Sequence, residues 1–312
     1  MPIFVAANPE YKDVHSQVRQ DVFRRLDRAF QNFFDGIAGY PKFKDRDHYR
    51  SFTYPQVDAV AKTFGQSGCI FLSNIGFVKL NAHREFPADL VSQANVKFDG
   101  QRWHVQLTAE VEEPETVERI MRSTGVDLGL IHFAAYSDGT LVPNPRYLRQ
   151  YEKRLKRAQR QLSHKKKGSH NRGKAKAKLA HLHRKVANQR EDFLHKVSVD
   201  LVRNYDLIVM EDLKINNMAK NHKLAKSIMD AGWGTFQTLV EYKAKKFGKK
   251  FMLVNPAGTS QTCVCGAAVP KDLKVRVHKC AACGLVEDRD VVSARVIEKR
   301  GLAKSAAWNR QN

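Results

Sequence analysis

The chain has 312 residues, 42% of them hydrophobic, which is enough for one large domain or two to three modest ones. Its 54 Lys and Arg against 32 Asp and Glu give a formal net charge of +22 at pH 7. Such a surface repels itself unless an anion neutralises it, and nucleic acid does so best because each cation on a phosphate releases a counterion. No stretch joins a basic face to a Trp, Phe and Leu face, so a membrane partner is not expected.

The five cysteines and the absence of apolar runs set the expected compartment. No run approaches the roughly 20 apolar residues that span a bilayer, and residues 1–5 do not begin a signal peptide. Four cysteines fall between Cys263 and Cys283, which indicates metal binding in a reducing compartment rather than disulfides. We therefore expect an intracellular, cytoplasmic protein in which Cys69 is a small buried apolar residue.

A helix and a β-rich module are predicted in the first third. Apolar residues recur at three- and four-residue steps over 14–33, which is typical of a packed helix. Short strands follow over 51–111, with turns at 73–76 and 99–100, and a small antiparallel barrel or sheet fits them. The acidic segment 112–115 marks a boundary.

A basic helical hairpin is predicted after the first strands of the next module. A strand over 125–131 and a hairpin turn at 137–139 precede residues 149–192, which hold sixteen basic and three acidic residues. Apolar residues at helical steps flank the Lys- and Gly-rich segment 165–173, as in an antiparallel hairpin with a basic tip. A solvated coiled coil is the alternative, but such a coil normally mixes charge signs. The predicted nucleic-acid contacts are Lys153, Arg154, Arg157, Lys165, Lys166, Lys167, Arg172, Lys174, Arg184 and Lys185.

The remaining elements are those of an α/β domain. The apolar runs 206–210 and 251–254 predict strands buried on both faces, and a helix over 232–248 separates them. A last helix is expected over 288–300, followed by a frayed tail at 305–312.

Three acidic residues stand where strands or helices present their ends. Asp127 lies on a strand between Gly125 and Gly129, which would let a nucleic-acid backbone come close. Glu211 lies at the carboxyl end of a buried strand, where open α/β sheets bind ligands. Asp290 is in the first turn of the last helix. Roughly 80 residues separate successive members, so only folding could bring them together.

These carboxylates have a catalytic and an ordinary interpretation. A cluster of carboxylates binds Mg²⁺ or Mn²⁺, and two such ions about 4 Å apart could support phosphodiester hydrolysis. Taken singly, however, Asp127 could be a turn residue, and Glu211 could cap the next helix together with Asp212. Asp288 and Asp290 could be ordinary acids of a first helical turn. The residues alone leave both interpretations open.

The clustered cysteines predict a zinc site. Cys263-Val264-Cys265 and Cys280-Ala281-Ala282-Cys283 are two thiol knuckles, each followed by a glycine, and they resemble a zinc ribbon. The first knuckle is one residue shorter than the usual spacing, so His278 could replace one cysteine. Four protein ligands leave no position for water, so the zinc should be structural.

Taken together, these residues resemble the TnpB (OrfB) family of insertion sequences, relatives of the compact type V CRISPR effectors. The resemblance extends from Tyr11 to Leu302 and is specific because many strings occur in order. It rests on Val14-His15-Ser16-Gln17-Val18, Gly39-Tyr40-Pro41-Lys42-Phe43-Lys44, Gly125-Val126-Asp127-Leu128-Gly129, Val209-Met210-Glu211-Asp212-Leu213, Gly232-Trp233-Gly234, Tyr242-Lys243-Ala244, Thr259-Ser260-Gln261-Thr262-Cys263, Cys283-Gly284 and Asp288-Arg289-Asp290-Val291.

The resemblance implies an RNA-guided DNA endonuclease of prokaryotic type, with guide RNA and target DNA as partners. Asp127, Glu211 and Asp290 match the family's Mg²⁺-binding catalytic triad, and the four cysteines match its zinc ribbon. The family's N-terminal part binds guide RNA and a motif flanking the target, and base pairing then reads the sequence. The hairpin would suit the sugar-phosphate backbone of an RNA–DNA duplex.

The expected fold class is an α/β RNase H-like (RuvC-type) nuclease domain with a zinc-ribbon insert, preceded by a β-barrel and helical recognition module. The predicted boundaries are 1–120 for the recognition module, 121–258 for the first nuclease part with the hairpin at 145–203, 259–286 for the ribbon, 287–304 for the last nuclease helix and 305–312 for the tail.

Three departures from the family pattern motivate an alternative function. Family members usually carry a further N-terminal stretch before residues 14–18, so part of the barrel is expected to be missing. After Asp290 the family continues with a variable residue and then Asn-Ala-Ala, whereas this chain has Val291-Val292-Ser293-Ala294. The first knuckle is short. The alternative is a family member that binds RNA and DNA with weak or no cleavage, and a transposase proper is a third hypothesis.

Overall fold

The computed structural model describes residues 2–45, 48–56, 68–82, 87–100, 102–218, 220, 224–272 and 275–308. The chain separates into two compact units, Met1–Glu112 and Glu113–Asn312, and the division falls in the acidic segment 112–115. In the part of the chain that is described, no helix combines the length and the apolar character needed to cross a bilayer.

Among its described residues, the first unit contains two helices and two antiparallel sheets. Strands pair in the order β1-β4-β5 and, separately, as the hairpin β2-β3. A closed barrel is not formed among the described strands, so the predicted barrel stays a prediction. Cys69, predicted to be buried, is only partly buried on β2. The elements are α1 (Pro2–Ala7), a 3₁₀ turn (Pro9–Asp13), α2 (Ser16–Phe34), β1 (Ser51–Tyr54), β2 (Cys69–Leu72), β3 (Gly76–Lys79), a 3₁₀ turn (Ala88–Leu90), β4 (Val91–Phe98) and β5 (Trp103–Ala109).

The second unit is an α/β domain with a small two-stranded sheet. Its helices α3 and α4 form the predicted hairpin, and their contact buries Leu155, Ala158, Leu179 and Val186. The elements are β6 (Ser123–Leu128), β7 (His132–Tyr136), β8 (Leu141–Pro143), α3 (Tyr147–Ser163), α4 (His170–Asn204), β9 (Leu207–Glu211), α5 (Ile215–Met218), α6 (Ala225–Ala231), α7 (Trp233–Lys246), β10 (Lys250–Val254), a 3₁₀ turn (Thr259–Gln261), β11 (Val277–Lys279), β12 (Val286–Asp288) and α8 (Arg289–Trp308).

The main sheet is mixed, with the strand order β10-β9-β6-β7-β8. Strands β6, β9 and β10 are parallel, whereas β7 and β8 return as antiparallel hairpins. Neighbouring parallel strands must be joined by a long crossover connection. Helices α3 and α4 form the connection that leads from the antiparallel strands β6–β8 to β9. The first four residues of β9 are completely buried, which confirms the prediction of a strand covered on both faces. The carboxyl ends of β6, β9 and β10 therefore lie at one edge.

Helix α8 crosses β6 and β9 in close backbone contact. A Cβ on Gly125 would lie 2.0 Å from the carbonyl oxygen of Ala294 and 2.5 Å from the amide nitrogen of Glu298. A Cβ on Gly301 would lie 2.3 Å from a methyl group of Val209. Gly125 thus makes room for a helix of its own chain, which corrects the prediction that it makes room for nucleic acid.

The predicted tail at 305–312 is also corrected for its first half. Helix α8 continues to Trp308, and Ser305 is buried. Residues 309–312 lie outside the described residues. The helix runs on because it stays packed against the sheet, and a contact of this kind leaves no periodic signal in a short window of sequence.

Gly125→Ala is expected to lower the free energy of unfolding by about 3 kcal/mol, because the new methyl group meets backbone atoms that cannot rotate away. Chemical denaturation of the full chain measures this loss. Gly173→Ala is the matched control: it lies in α4 with nothing within 4 Å of its Cβ position, so helix propensity predicts a gain of about 0.5–1 kcal/mol. Equal stabilities of the two variants would contradict the close contact.

Candidate functional site

The register of two neighbouring strands brings two acidic residues side by side. In the parallel pairing of β6 with β9, Val126 lies opposite Met210. Asp127 and Glu211 are the next residue on each strand, so they occupy the same level at the shared carboxyl edge, about 4.8 Å apart along the sheet. Asp290 is the second residue of α8, which packs against β6. The structure therefore brings the three predicted carboxylates to one edge of the sheet.

Burial and mutual repulsion shape the titration of this group. Burial raises the pKa of Asp127 well above its usual range, and the carboxylates of Glu211 and Asp290 raise it further. Burial also raises the pKa of Glu211, whereas a hydrogen bond from the Thr259 hydroxyl and the nearby charge of Arg300 lower it. An anionic cluster of this kind costs free energy unless a cation compensates it.

Asp290 is held by its own surroundings. Its side chain is buried, and its carboxylate oxygens lie 3.8 Å from Nη1 of Arg276 and 3.5 Å from Nε of Arg289. Its backbone N–H donates to Oδ1 of Asp288 over 2.8 Å, so Asp288 caps the first turn of α8. Asp212 forms an ion pair with Lys214 at 2.8 Å.

The three carboxylates do not form a closed ligand set in this structure. Across the described ranges, the group of potential metal ligands whose atoms all lie within 4.8 Å of one another consists of the four cysteines. The carboxylates share one edge of the sheet, but Asp290 is turned toward two guanidinium groups.

The four cysteine thiols form a compact cluster. Sγ of Cys263 lies 3.6 Å from Sγ of Cys283, and Sγ of Cys265 lies 3.7 Å from Sγ of Cys280. Four sulfurs at about 2.3 Å from a tetrahedral zinc ion are about 3.8 Å apart, so the spacing fits zinc. Backbone N–H groups of the second knuckle lower the pKa of Cys280 to about 7, which favours the thiolate that a metal binds.

His278 stands apart from the thiols. Its ring is completely buried, and Nδ1 contacts Nζ of Lys271. The cluster that could hold a metal comprises the four cysteines without this histidine. The geometry therefore favours the Cys₄ alternative over the one in which His278 replaces a cysteine.

Comparison with known proteins places the chain in a family. Residues 106–222 match the OrfB_IS605 family, described as "Probable transposase", and residues 233–297 match the Cas12f1-like TNB domain. A Streptomyces pristinaespiralis protein named as an RNA-guided DNA endonuclease is 34% identical over 302 residues, covering 94% of this chain and 73% of the relative. The Escherichia coli K12 protein InsQ, which is also named as an RNA-guided DNA endonuclease, is 34% identical over 309 residues, covering 94% of this chain and 76% of the relative.

The chain belongs to the TnpB (OrfB) family. A solved Cas12f1–sgRNA–target DNA complex also matches 92% of this TnpB-family chain and 80% of its own, with a TM-score of 0.42 and 16% identity. The family resemblance inferred from the sequence strings is confirmed by the relatives.

One face of α3 in this TnpB-family chain is rich in cations, with Lys or Arg at four of the six positions that line it. Lys153 and Arg157, both predicted contacts, lie on this face and are exposed. Sequence reasoning missed Arg160 and His164, although the spacing of three, four and seven residues places them on the same face. The groove along this face is lined by Lys153, Lys156, Arg157, Arg160, Gln161 and His164.

Other predicted cations have contacts within the hairpin. Nη1 of Arg172 donates to the carbonyl oxygens of Leu162 and Lys165 over 3.0 and 2.8 Å. Arg172 thus closes the end of α3, and its role as a nucleic-acid contact stays a prediction. Arg154 and Lys185 both lie over the ring of Tyr151. The predicted cations that stay exposed at the tip and beyond it are Lys165, Lys166, Lys167, Lys174 and Lys185, whereas Arg184 is partly buried.

Proposed function

We propose that this chain is an RNA-guided DNA endonuclease whose second unit is an RNase H-like (RuvC-type) nuclease domain. The observation that carries the proposal is the strand register that sets Asp127 beside Glu211, with Asp290 on the helix packed against them. The order of three antiparallel strands followed by two parallel strands supports the RNase H-like assignment. The names of the relatives from Streptomyces pristinaespiralis and Escherichia coli support the reaction.

The carboxylate edge fits a hard divalent cation. Asp127, Glu211 and Asp290 offer oxygen ligands alone, which suit Mg²⁺ or Mn²⁺ rather than zinc. Bound there, Mg²⁺ would activate a water molecule and stabilise the leaving oxygen of a phosphodiester. Burial raises the pKa of Glu211, and the Thr259 hydroxyl and the nearby charge of Arg300 partly offset that rise.

The cysteine cluster fits a structural zinc ion. Its four thiols leave no position open for water, so the site would hold the ribbon together without taking part in cleavage. The two strands beside it, β11 and β12, have three residues each and could not maintain a fold by themselves.

The cationic face of α3 is proposed to follow the backbone of a guide–target duplex. Its cations lie one helical turn apart and offer point charges without a base-reading pattern. The exposed lysines of the hairpin tip would extend the same surface. Sequence would then be read by base pairing, and the protein would contribute position and charge.

A cleavage assay on the full chain with its co-purified RNA tests the function. A plasmid library with a randomised segment beside the guide match is incubated with and without Mg²⁺. Breaks at a fixed distance from an enriched motif, present only with Mg²⁺, are expected, and Glu211→Gln should abolish them. Retained RNA and enriched DNA binding without breaks would instead support the alternative function of a binding protein. Val292 motivates this alternative because it is a buried apolar residue at the position where the family pattern expects asparagine.

Removing two cations from the α3 face is expected to weaken salt-sensitive nucleic-acid binding. Each phosphate contact contributes about 0.9 to the slope of log affinity against log salt, so Arg157→Gln with Arg160→Gln should reduce the slope by about 2. Fluorescence anisotropy with a labelled RNA–DNA duplex at several salt concentrations measures it. Arg203→Gln with Lys246→Gln, which removes the same charge from other exposed helical positions, should leave the slope unchanged. Equal changes in both proteins would mean that net charge alone matters.

A further inference from the structure

A buried hydroxyl faces the glutamate of the proposed nuclease site. Thr259 is 3% exposed, and its Oγ1 donates to Oε1 of Glu211. Oγ1 also lies 2.9 Å from the carbonyl oxygen of Pro256, and because a hydroxyl has one proton, the two acceptors share it. A 3₁₀ turn begins at Thr259, directly after Gly258. The φ of 75° at Gly258 directs the chain back toward the sheet. No sequence pattern pointed to this contact.

The loop that carries Thr259 is fixed by cations of α8. Nη1 of Arg300 donates to the carbonyl oxygens of Asn255 and Ala257 over 2.8 and 2.9 Å. Nζ of Lys299 donates to the carbonyl oxygen of Val264, inside the first thiol knuckle, over 2.9 Å. The helix that carries Asp290 thus also holds the loop on both sides of Thr259.

We propose that Thr259 is a positioning residue for Glu211, on the premise of the metal-dependent function proposed above. Donation to Oε1 fixes the glutamate's rotamer and leaves the second carboxylate oxygen free for a cation. The side chain itself touches neither metal nor substrate. The hydrogen bonds from Arg300 and Lys299 to this loop matter because a hydroxyl orients a carboxylate only if it is itself held in place.

Metal affinity, measured without substrate, tests the role. The full zinc-loaded chain is freed of nucleic acid at high salt, and Mn²⁺ binding is followed by the EPR signal of free Mn²⁺. Asp127→Asn defines the background. Thr259→Val keeps the shape of the side chain but removes the donor, and it should weaken site-specific Mn²⁺ binding by about 10- to 100-fold. Thr259→Ser keeps the hydroxyl and should stay within about threefold of wild type.

Thr262→Val is the matched control in the same turn. Its Oγ1 donates to the carbonyl oxygen of Gly258 over 2.8 Å, so it loses a similar hydrogen bond without touching Glu211, and Mn²⁺ affinity should not change. Wild-type affinity in Thr259→Val, or equal losses in the two valine variants, would overturn the proposal. If Thr259→Val does not fold, Thr259→Ala removes the same donor with less bulk and should give the same loss. A wild-type chain that binds no Mn²⁺ above the Asp127→Asn background would overturn the proposed metal site, and the role of Thr259 with it.

Discussion

Asp127→Asn is expected to slow DNA cleavage by at least about 10³-fold, which corresponds to about 4 kcal/mol of transition-state stabilisation. The amide keeps the shape of the side chain but carries no negative charge, so the proposed cation loses a ligand at the centre of the carboxylate edge. Single-turnover cleavage of a matched plasmid at saturating Mg²⁺ measures the rate. RNA that co-purifies with the chain should be unchanged, because Asp127 lies in the sheet and not on the cationic face of α3.

The same substitution should not destabilise the metal-free protein. Burial and two neighbouring carboxylates raise the pKa of Asp127, so the folded state binds more protons than the unfolded state between the usual aspartate pKa and the raised one. The stability contributed by this group therefore falls as the pH rises through that window. Asp127→Asn removes this cost, and its melting temperature without Mg²⁺ at neutral pH should equal or exceed that of wild type. The difference should disappear below about pH 4, where the wild-type carboxyl becomes protonated in the unfolded state as well as in the folded state.

Asp212→Asn is the control for charge near the site. Asp212 follows Glu211 directly but pairs with Lys214 at 2.8 Å, so its loss should change the cleavage rate by only a few-fold. Cleavage by Asp127→Asn at the wild-type rate would contradict the assignment of this edge. A rate loss of equal size in both variants would point to general electrostatics rather than to metal ligation.

Local patterns in the sequence predicted the elements well. The run at 206–210 predicted a strand buried on both faces because neither face of β9 meets water, and β9 is buried accordingly. The stripe over 14–33 predicted a packed helix from its three- and four-residue steps. The helix α2 is present, but none of its described residues is buried, so the expected close packing of the stripe is not observed. The knuckle spacing predicted a thiol cluster, which the structure assembles. Each of these signals lies within a few residues of the feature that it predicts.

Long-range contacts could not be predicted in this way. Asp127 and Glu211 lie side by side because of the register of two strands that are some 80 residues apart in the chain. Only the family resemblance identified these two residues as catalytic. Gly125 was misinterpreted because the backbone that it accommodates belongs to α8, far along the chain. Arg172 has the same composition signal as its lysine neighbours but turns back to cap α3. In each case the deciding partner is distant in sequence, so a local pattern carries no information about it.

Zinc removal is expected to unfold the segment around the thiol knuckles. Apparent zinc binding to such sites contributes about 10–16 kcal/mol at pH 7, whereas β11 and β12 together offer one short hairpin and little core. Dialysis against a strong chelator should release about one zinc per chain. Trypsin should then cut at Lys271 or Lys279, which lie between the knuckles, and mass spectrometry identifies the cuts.

Two variants distinguish zinc ligation by four cysteines from ligation by three cysteines and His278. Cys265→Ser should lose the zinc, because the thiol is 3.7 Å from its partner Cys280 within the cluster. His278→Ala should keep it, even if burial of the ring makes the protein less stable, because the imidazole faces Lys271 and not the thiols. Zinc loss in His278→Ala together with retention in Cys265→Ser would reverse the ligand assignment.

Since Thr259 precedes Cys263 by four residues and Asp290 follows Cys283 by seven, an unfolded ribbon should also loosen both contacts to the carboxylate edge. The zinc-free chain is therefore expected to bind Mn²⁺ more weakly, although no cysteine touches that site.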